Sequence, residues 1–512
     1  MSFITPNRRD VLQYGGAAAI ALSAGGALAA PKKGGTLRMG KAHGGTTDSY
    51  DPGTHENGFM LDFTHTMNNY LTEVNADGSV SGELAESWEA SDDAATWTFK
   101  LRDAEFHNGD KVKAADVVAS INHHRGEDTK SAAKPILEDI SEIMAKGDDV
   151  VVVELSSGNA DFPFILSDYH LPIGPSKDGK VDWDAGIGAG PYMLETFEPG
   201  VRAKFKRFDA YWKKDRAHFD AVEMLSIVDP TARTNALVTG EVDVIDRVEL
   251  KTVNLLKRRK NITVQTTDGT QHYTFVMDTR AAPYSDVNVR LALKHAIDRE
   301  ELVSKILQGY GSVGNDHPIG RGQPFFAADL DQRSYDPDKA KFHLKEAGMD
   351  KLDVTLKSSD AAFAGAVDAA VLFSESAKAA NIDLKVERVP NDGYWSNVWM
   401  QEPFCACYWG GRPTVDWMMS TAYKGGVNWN DAYWTNERFD KVLLEARSEL
   451  DDAKRTEMYT ELQGLVRDDG GTIIPMFAQY VFAMSDKVMH GEKMAANWDL
   501  DGGRWAERWS FA

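Results

Sequence analysis

Two hydrophobic rhythms take turns along this chain. Residues 96–101 alternate in period two, with Trp97, Phe99 and Leu101 on one face, which predicts a half-buried strand. Residues 150–155 form a β-branched run, and residues 36–39 a short strand behind Gly34-Gly35. The helical rhythm is clearer in the second half. Over residues 286–307, Val289, Leu293, Ala296, Ile297, Val303, Ile306 and Leu307 fall largely on one stripe, which predicts a single helix stopped at Gly309. Residues 337–347 predict another helix, with Asp336 as cap, Pro337 in the first turn and Gly348 at the end. Residues 437–449 and 453–466 predict a helical pair. No linker of low complexity and no repeat interrupts the alternation, so the pattern is that of α/β layers.

Length and composition narrow the function. A chain of 512 residues is long for one core and suits two or three domains. Its 42% hydrophobic content can fill them. A formal net charge of −21 repels phosphate backbones and anionic lipid, which argues against nucleic-acid binding and a polybasic anchor. Two cysteines make neither a disulfide framework nor a closed four-cysteine zinc site.

The first residues read as an address. Asn7-Arg8-Arg9-Asp10 precedes a Gly/Ala-rich apolar run, and Ala27-Leu28-Ala29 fits a cleavage site. Residues 1–29 therefore resemble a twin-arginine signal peptide. About fifteen mildly apolar residues fall short of the roughly 20 that span a bilayer. With no cysteine near the cut for a lipid anchor, the expected location is the periplasm, with no direct membrane insertion.

Motifs for chemistry are missing. The sequence has no G-x-S-x-G, no G-x-x-x-x-G-K-[ST] and no H-E-x-x-H. Gly186-Ile187-Gly188-Ala189-Gly190-Pro191 leads into a strand-like segment and reads as a turn. Cys405-Ala406-Cys407 lacks further metal ligands and reads as buried packing, and His123-His124 as a solvated helix edge. No enzyme activity, cofactor or metal site is expected.

Several segments, taken in order, carry a resemblance. They are Gly34-Gly35-Thr36-Leu37-Arg38; Leu84-Ala85-Glu86-Ser87-Trp88; Thr96 through Arg102; Phe106-His107-Asn108-Gly109; and Ala114-Ala115-Asp116-Val117-Val118. Gly188-Ala189-Gly190-Pro191-Tyr192, Val289-Arg290-Leu291-Ala292-Leu293 and Tyr335-Asp336-Pro337 follow. In this order they resemble the extracytoplasmic solute-binding proteins of ABC importers, family 5, the peptide/nickel class. The resemblance implies the two-lobed periplasmic-binding-protein fold of type II with the extra subdomain of the large peptide binders. Lobe I would take residues 30–275, with the subdomain at about 55–180; lobe II residues 276–479; and residues 480–512 would return to lobe I. It implies a monomer that traps a peptide-like or amino-acid-derived solute and passes it to permease subunits in the inner membrane. A sensor on the same fold, or a binder of an opine, another organic acid or a nickel chelate, are the alternatives.

Candidate ligand contacts come from two stretches. The aromatic-rich segment 394–434 offers Trp395, Tyr408, Trp409, Trp417 and Trp429 as walls. In peptide-binding relatives a Trp is followed three residues later by an Asp that grips the peptide's ammonium group. Trp409 matches the Trp, but Arg412 stands at the Asp position, and its fork suits a carboxylate. Asp416 is the candidate for a cationic end. From the other side, the loop carrying His43, Thr46, Thr47, Asp48 and Tyr50 is expected to face the cleft. Phe59 and Tyr273 are weaker candidates.

Overall fold

The computed structural model describes residues 31–390, 394–410, 412 and 414–512; the segment 1–29, read above as a signal peptide, lies outside the described residues. One eleven-stranded sheet runs through the molecule. At one end Thr36–Lys41 pairs in parallel with Ala221–Ser226 and with Val244–Ile245. The hairpin of Tyr192–Glu198 and Arg202–Arg207 extends that edge. At the other end Phe404–Trp409, Leu352–Ser358 and Ile382–Arg388 continue the sheet, the last two in parallel through the helix Ala366–Ala377. Two long strands, Ile262–Met277 and Thr472–Ser485, join the two ends.

These strands pair antiparallel over most of their length, but the register shifts between Asp268 and His272. Before the shift Phe482 and Met484 complete the core that holds Leu37, Met39 and Phe205, while Ile262, Val481 and Ala483 pack in the core that holds Leu237 and Val253. After it they pack in the core that holds Phe275, Ile297 and Phe373. Gly269 sits at the shift, where a Cβ would stand 2.8 Å from the Ala478 carbonyl oxygen. A side chain there would prise the strands apart.

A separate four-stranded antiparallel sheet has its own core around Trp97, Phe99, Val151 and Val153. The strand Thr96–Leu101 is there as the alternation requires, with Trp97, Phe99 and Leu101 buried. Residues 286–307, expected as one helix, are two: Val287–His295 and Arg299–Lys305. Asp298 breaks the run by capping the second helix, accepting from the Glu301 amide at 2.9 Å. The His295 carbonyl, freed at the break, accepts from the Asp336 amide at 2.9 Å. Asp336 also caps Pro337–Glu346, accepting from the Lys339 amide at 2.9 Å. Among the described residues, no helix is long and apolar enough to cross a membrane.

The C-terminal segment is locked to Glu73, Glu83 and Lys213 by a buried ionic network. Arg504 grips both carboxylate oxygens of Glu83, at 2.7 and 3.0 Å. Lys213 reaches Glu73 at 3.0 Å and both Glu83 and Glu507 at 2.8 Å. The three glutamates come close enough to one another to hold a cation, but Lys213, Arg504 and Arg508 already neutralise them. Burial alone would raise the Glu507 carboxyl, yet Lys213 and Arg504 outweigh it and hold it far below its ordinary 4.5. The stability Glu507 contributes is present above that ordinary value and lost as pH falls below it. Glu507→Gln is therefore expected to cost about 3–5 kcal/mol at neutral pH and to flatten the acid limb of stability, measured by thermal melts across pH.

Candidate functional site

Loops leaving the carboxyl ends of the parallel strands converge where the long strands change register. Lys41 ends one strand, and Asp246-Arg247 follow another directly. Such crevices are where open α/β sheets place ligands. Here they enclose a cavity of about 450 Å³, within the roughly 300–1,000 Å³ of small-molecule sites. One wall carries His43, Glu56, Asn57, Tyr169, Arg247 and Asp499. The opposite wall carries Gln271, Tyr273, Phe363, Tyr408 and Gly410. Tyr273 and Phe363 stack face to face, with centroids 4.2 Å apart and planes 5° apart.

The floor is ionic. Lys41 is buried and reaches Asp62 at 2.7 Å and Asp246 at 2.9 Å. Burial opposes its charge, but Asp246 and Asp62 outweigh burial and its pKa rises. Asp246 also accepts from the Ala42 amide at 2.7 Å, and Asp62 from the Trp505 indole at 2.8 Å. Burial pushes the Asp499 carboxyl up to about 7 despite the nearby Lys41, and Asp246 adds to the rise.

The loop from His43 to Tyr50 is rigidly tied. Asp48 accepts from the Gly45 amide at 2.8 Å and from Asn57 at 2.7 Å. Asn57 in turn caps the buried helix Gly58–Met67, accepting from the Phe59 amide at 2.9 Å. His43 lines the cavity, and its Nδ1 accepts from the Gly58 amide at 3.2 Å. Burial, followed by Arg247, lowers its pKa to about 4. The ring is then neutral at pH 7, with its proton on Nε2. Thr46 and Thr47 are exposed and stand outside the cavity lining. Tyr50 turns away to pack against Phe197 and Phe63, at 5.3 and 6.3 Å between centroids. Phe59 is buried in the core beneath.

The aromatic stretch divides. Tyr408, 40% exposed, lines the cavity, and Trp395, 41% exposed, leans on it at 5.7 Å. Trp409 points to the other side of its strand and is buried, with Trp429 beside it at 6.1 Å and half exposed. Arg412 lies 5.9 Å from the rings of both Trp409 and Trp417, and feels the charge of Asp168. It stands at a seam beside the cavity and not in its lining. Asp416 is buried and engaged by Arg447 at 3.1 Å, so its carboxylate serves the packing of Val415–Ala422 on Glu437–Ser448. His124, read as a solvated edge, is buried and bonded to Ser131 at 2.6 Å. Cys405 and Cys407 are buried free thiols.

Sequence reasoning missed Tyr169, Arg247, Tyr480, Trp498 and Asp499, which all line the cavity. The one available signal was position: Arg247 stands two residues after the short strand Val244–Ile245 that pairs with the first strand.

A cavity shared by two walls, at a place where two strands carry the chain from one core to another, defines a two-lobed solute-binding protein. Residues 79–431 match the family described as "Bacterial extracellular solute-binding proteins, family 5 Middle", and the chain belongs to that family. It is 25% identical over 441 residues to the glutathione-binding protein GsiB of Salmonella typhi, covering 82% of this chain and 85% of that one. HbpA2 of Haemophilus parasuis has the same fold, with a TM-score of 0.82 at 20% identity over 91% of this chain and 99% of that one. So does the ABC transporter-associated periplasmic binding protein DppA of Helicobacter pylori in complex with peptide STSA, with a TM-score of 0.72 at 21% identity over 94% and 99%.

Because Asp416 is spent on Arg447, Asp416→Asn is expected to lower the stability of the empty protein by about 3–5 kcal/mol. Thermal or chemical denaturation checks this.

Proposed function

We propose that this protein is the periplasmic component of an ABC importer, exported by the twin-arginine route, that captures a peptide-like or amino-acid-derived solute between its lobes and presents the closed form to a membrane permease. Lobe I would comprise residues 30–275 with 480–512, and lobe II residues 276–479. The observation that carries this reading is the cavity itself: each wall supplies ligand-facing groups, and the walls belong to different cores. Relatives named for glutathione and bound to a peptide point to the same class of solute.

A solute that touches both walls binds the closed form better than the open one, and that difference drives closure. Moving the balance from 1:99 to 99:1 needs about 5.5 kcal/mol of preference. Contacts already spanning the seam help. Arg455 pairs with the buried Asp161 of the four-stranded subdomain, and the Arg447 carbonyl accepts from the Ala160 amide at 2.7 Å. The subdomain thereby acts as an outer stop for the moving lobe.

Addition of a bound short peptide or amino-acid conjugate is expected to reduce the radius of gyration in small-angle X-ray scattering and to change tryptophan emission. No change with any member of a broad solute panel, or chemical conversion of a solute by the purified protein, refutes the reading. Export is tested separately. Replacing Arg8 and Arg9 by lysine is expected to strand a folded reporter fused behind residues 1–29 in the cytoplasm.

A further inference from the structure

Most buried charges of this molecule close on one another. Glu73, Glu83 and Glu507 are matched by Lys213, Arg504 and Arg508. Asp316 is matched by Arg299 at 2.6 Å and Arg333 at 2.9 Å. On the cavity floor Lys41 is taken by Asp62 and Asp246. Arg233 spends its guanidinium on the carbonyls of Ile227, Val228, Asp246 and Arg247.

Two opposite charges on the cavity lining stay open: Arg247, which is exposed, and Asp499, which is half-buried. Among the described residues, neither Arg247 nor Asp499 makes an ion pair within 4.0 Å; the Asp499 carboxylate accepts only from the Leu500 amide, at 2.8 Å. Asp499 lies in the field of Lys41 and Asp246 and, after them, of Arg247, which also acts on His43, Tyr273 and Tyr480 around the cavity. Arg247 and Asp499 face the same space at a separation too wide for direct contact.

The backbone under both is unusual. Arg247 has φ 44°. Asp499 is followed by four residues of left-handed φ: Leu500 at 54°, Asp501 at 60°, Gly502 at 68° and Gly503 at 75°. A Cβ disfavours this region, so such residues persist only where their surroundings force them, and they gather at ligand sites. Here the forcing is visible. Asp501 is buried and held by the Ala495 amide at 2.8 Å, Arg508 at 2.9 Å and the Trp509 indole at 3.3 Å.

We propose that Arg247 and Asp499 together recognise an α-amino-acid head group, with a carboxylate on the guanidinium and an ammonium on the Asp499 carboxylate. This rests on reading the cavity as the solute site. A linear peptide carries its terminal charges on different residues, whereas a solute that bears both charges on one carbon would present them together to the two groups that line this cavity. The solute is therefore one whose head group is left free, an amino acid extended through its side chain, with the extension lying against Tyr273, Phe363 and Tyr408.

Matched isomers test this. In γ-glutamylglycine the glutamyl carbon keeps both charges; in α-glutamylglycine its carboxyl is consumed by the peptide bond. Nε-glycyl-lysine and Nα-glycyl-lysine form a second such pair. Calorimetric titration is expected to show the free-head isomer of at least one pair binding about tenfold tighter or more. Arg247→Gly, which suits the left-handed backbone, is expected to erase that preference without lowering the melting temperature of the empty protein. Asp499→Asn is expected to erase it as well. Equal affinity within both pairs, an intact preference in Arg247→Gly, or no binding of either free-head isomer at about 1 mM overturns the proposal. If scattering shows closure around other solutes at the same time, only the head-group assignment falls. If no solute closes the protein, the solute-binding reading falls with it.

Discussion

Everything in this molecule is arranged around two strands that must serve two cores at once. Ile262–Met277 and Thr472–Ser485 cannot leave backbone groups unpaired where they pass from one core to the other, so they pair with each other. The interruption of register between Asp268 and His272 falls at the passage, and Gly269 lets the strands approach there. This single constraint fixes the place of the cavity. The parallel strands of one end finish beside the crossing, and the strand bearing Tyr408 also ends there, coming from the other side. A continuous sheet whose two long strands shift register where they pass between the cores, between Asp268 and His272 and again between Tyr273 and Phe275, permits relative motion there while keeping each core intact.

Charge is distributed by the same logic. Where a charge has a structural task, it is buried with its partner, as in the Arg504–Glu83 fork or the Arg299–Asp316 pair. Such pairs cost desolvation and add little net stability, but removing one partner is expensive, so they fix which segments meet. Residues 504–508 are held to Glu73, Glu83 and Lys213 in this way, which fastens the C-terminal segment to the first core. On the cavity floor the accounting changes. Lys41 is fully engaged, whereas Arg247 and Asp499 are left facing the space. The exposed Tyr408 and the stacked rings of Tyr273 and Phe363 on the opposite wall supply area without competing for those charges.

Local signals in the sequence were readable wherever a single element decided them. The alternation of Trp97, Phe99 and Leu101 is a strand because one face meets a core and the other does not. Pro337–Glu346 is a helix with its cap at Asp336 because both ends are signposted. Residues 286–307 misled because the apolar stripe passes unbroken through Ala296 and Ile297, and only Asp298, a capping residue, marks the division. The site was less legible for a different reason. Trp409 and Asp416 carry the right chemistry, but strand pleat and helix phase turn them inward, to the core and to Arg447. Arg247 and Asp499 look like ordinary polar turn residues until the fold joins distant segments.

What holds Arg247 in its disfavoured conformation completes the picture. Its own carbonyl accepts from Arg233 at 3.1 Å, and the same guanidinium gathers the carbonyls of Ile227, Val228 and Asp246. Arg233 thus ties together the loops that follow two parallel strands, and it does so from the buried face of the helix Pro230–Thr239. The strain at Arg247 is borne by a clamp that also shapes the cavity floor. Relief of that strain by rotating the residue would break a buried guanidinium–carbonyl bond, an unfavourable exchange. The backbone that carries the open cation is therefore preorganised: its conformation is set before any ligand arrives.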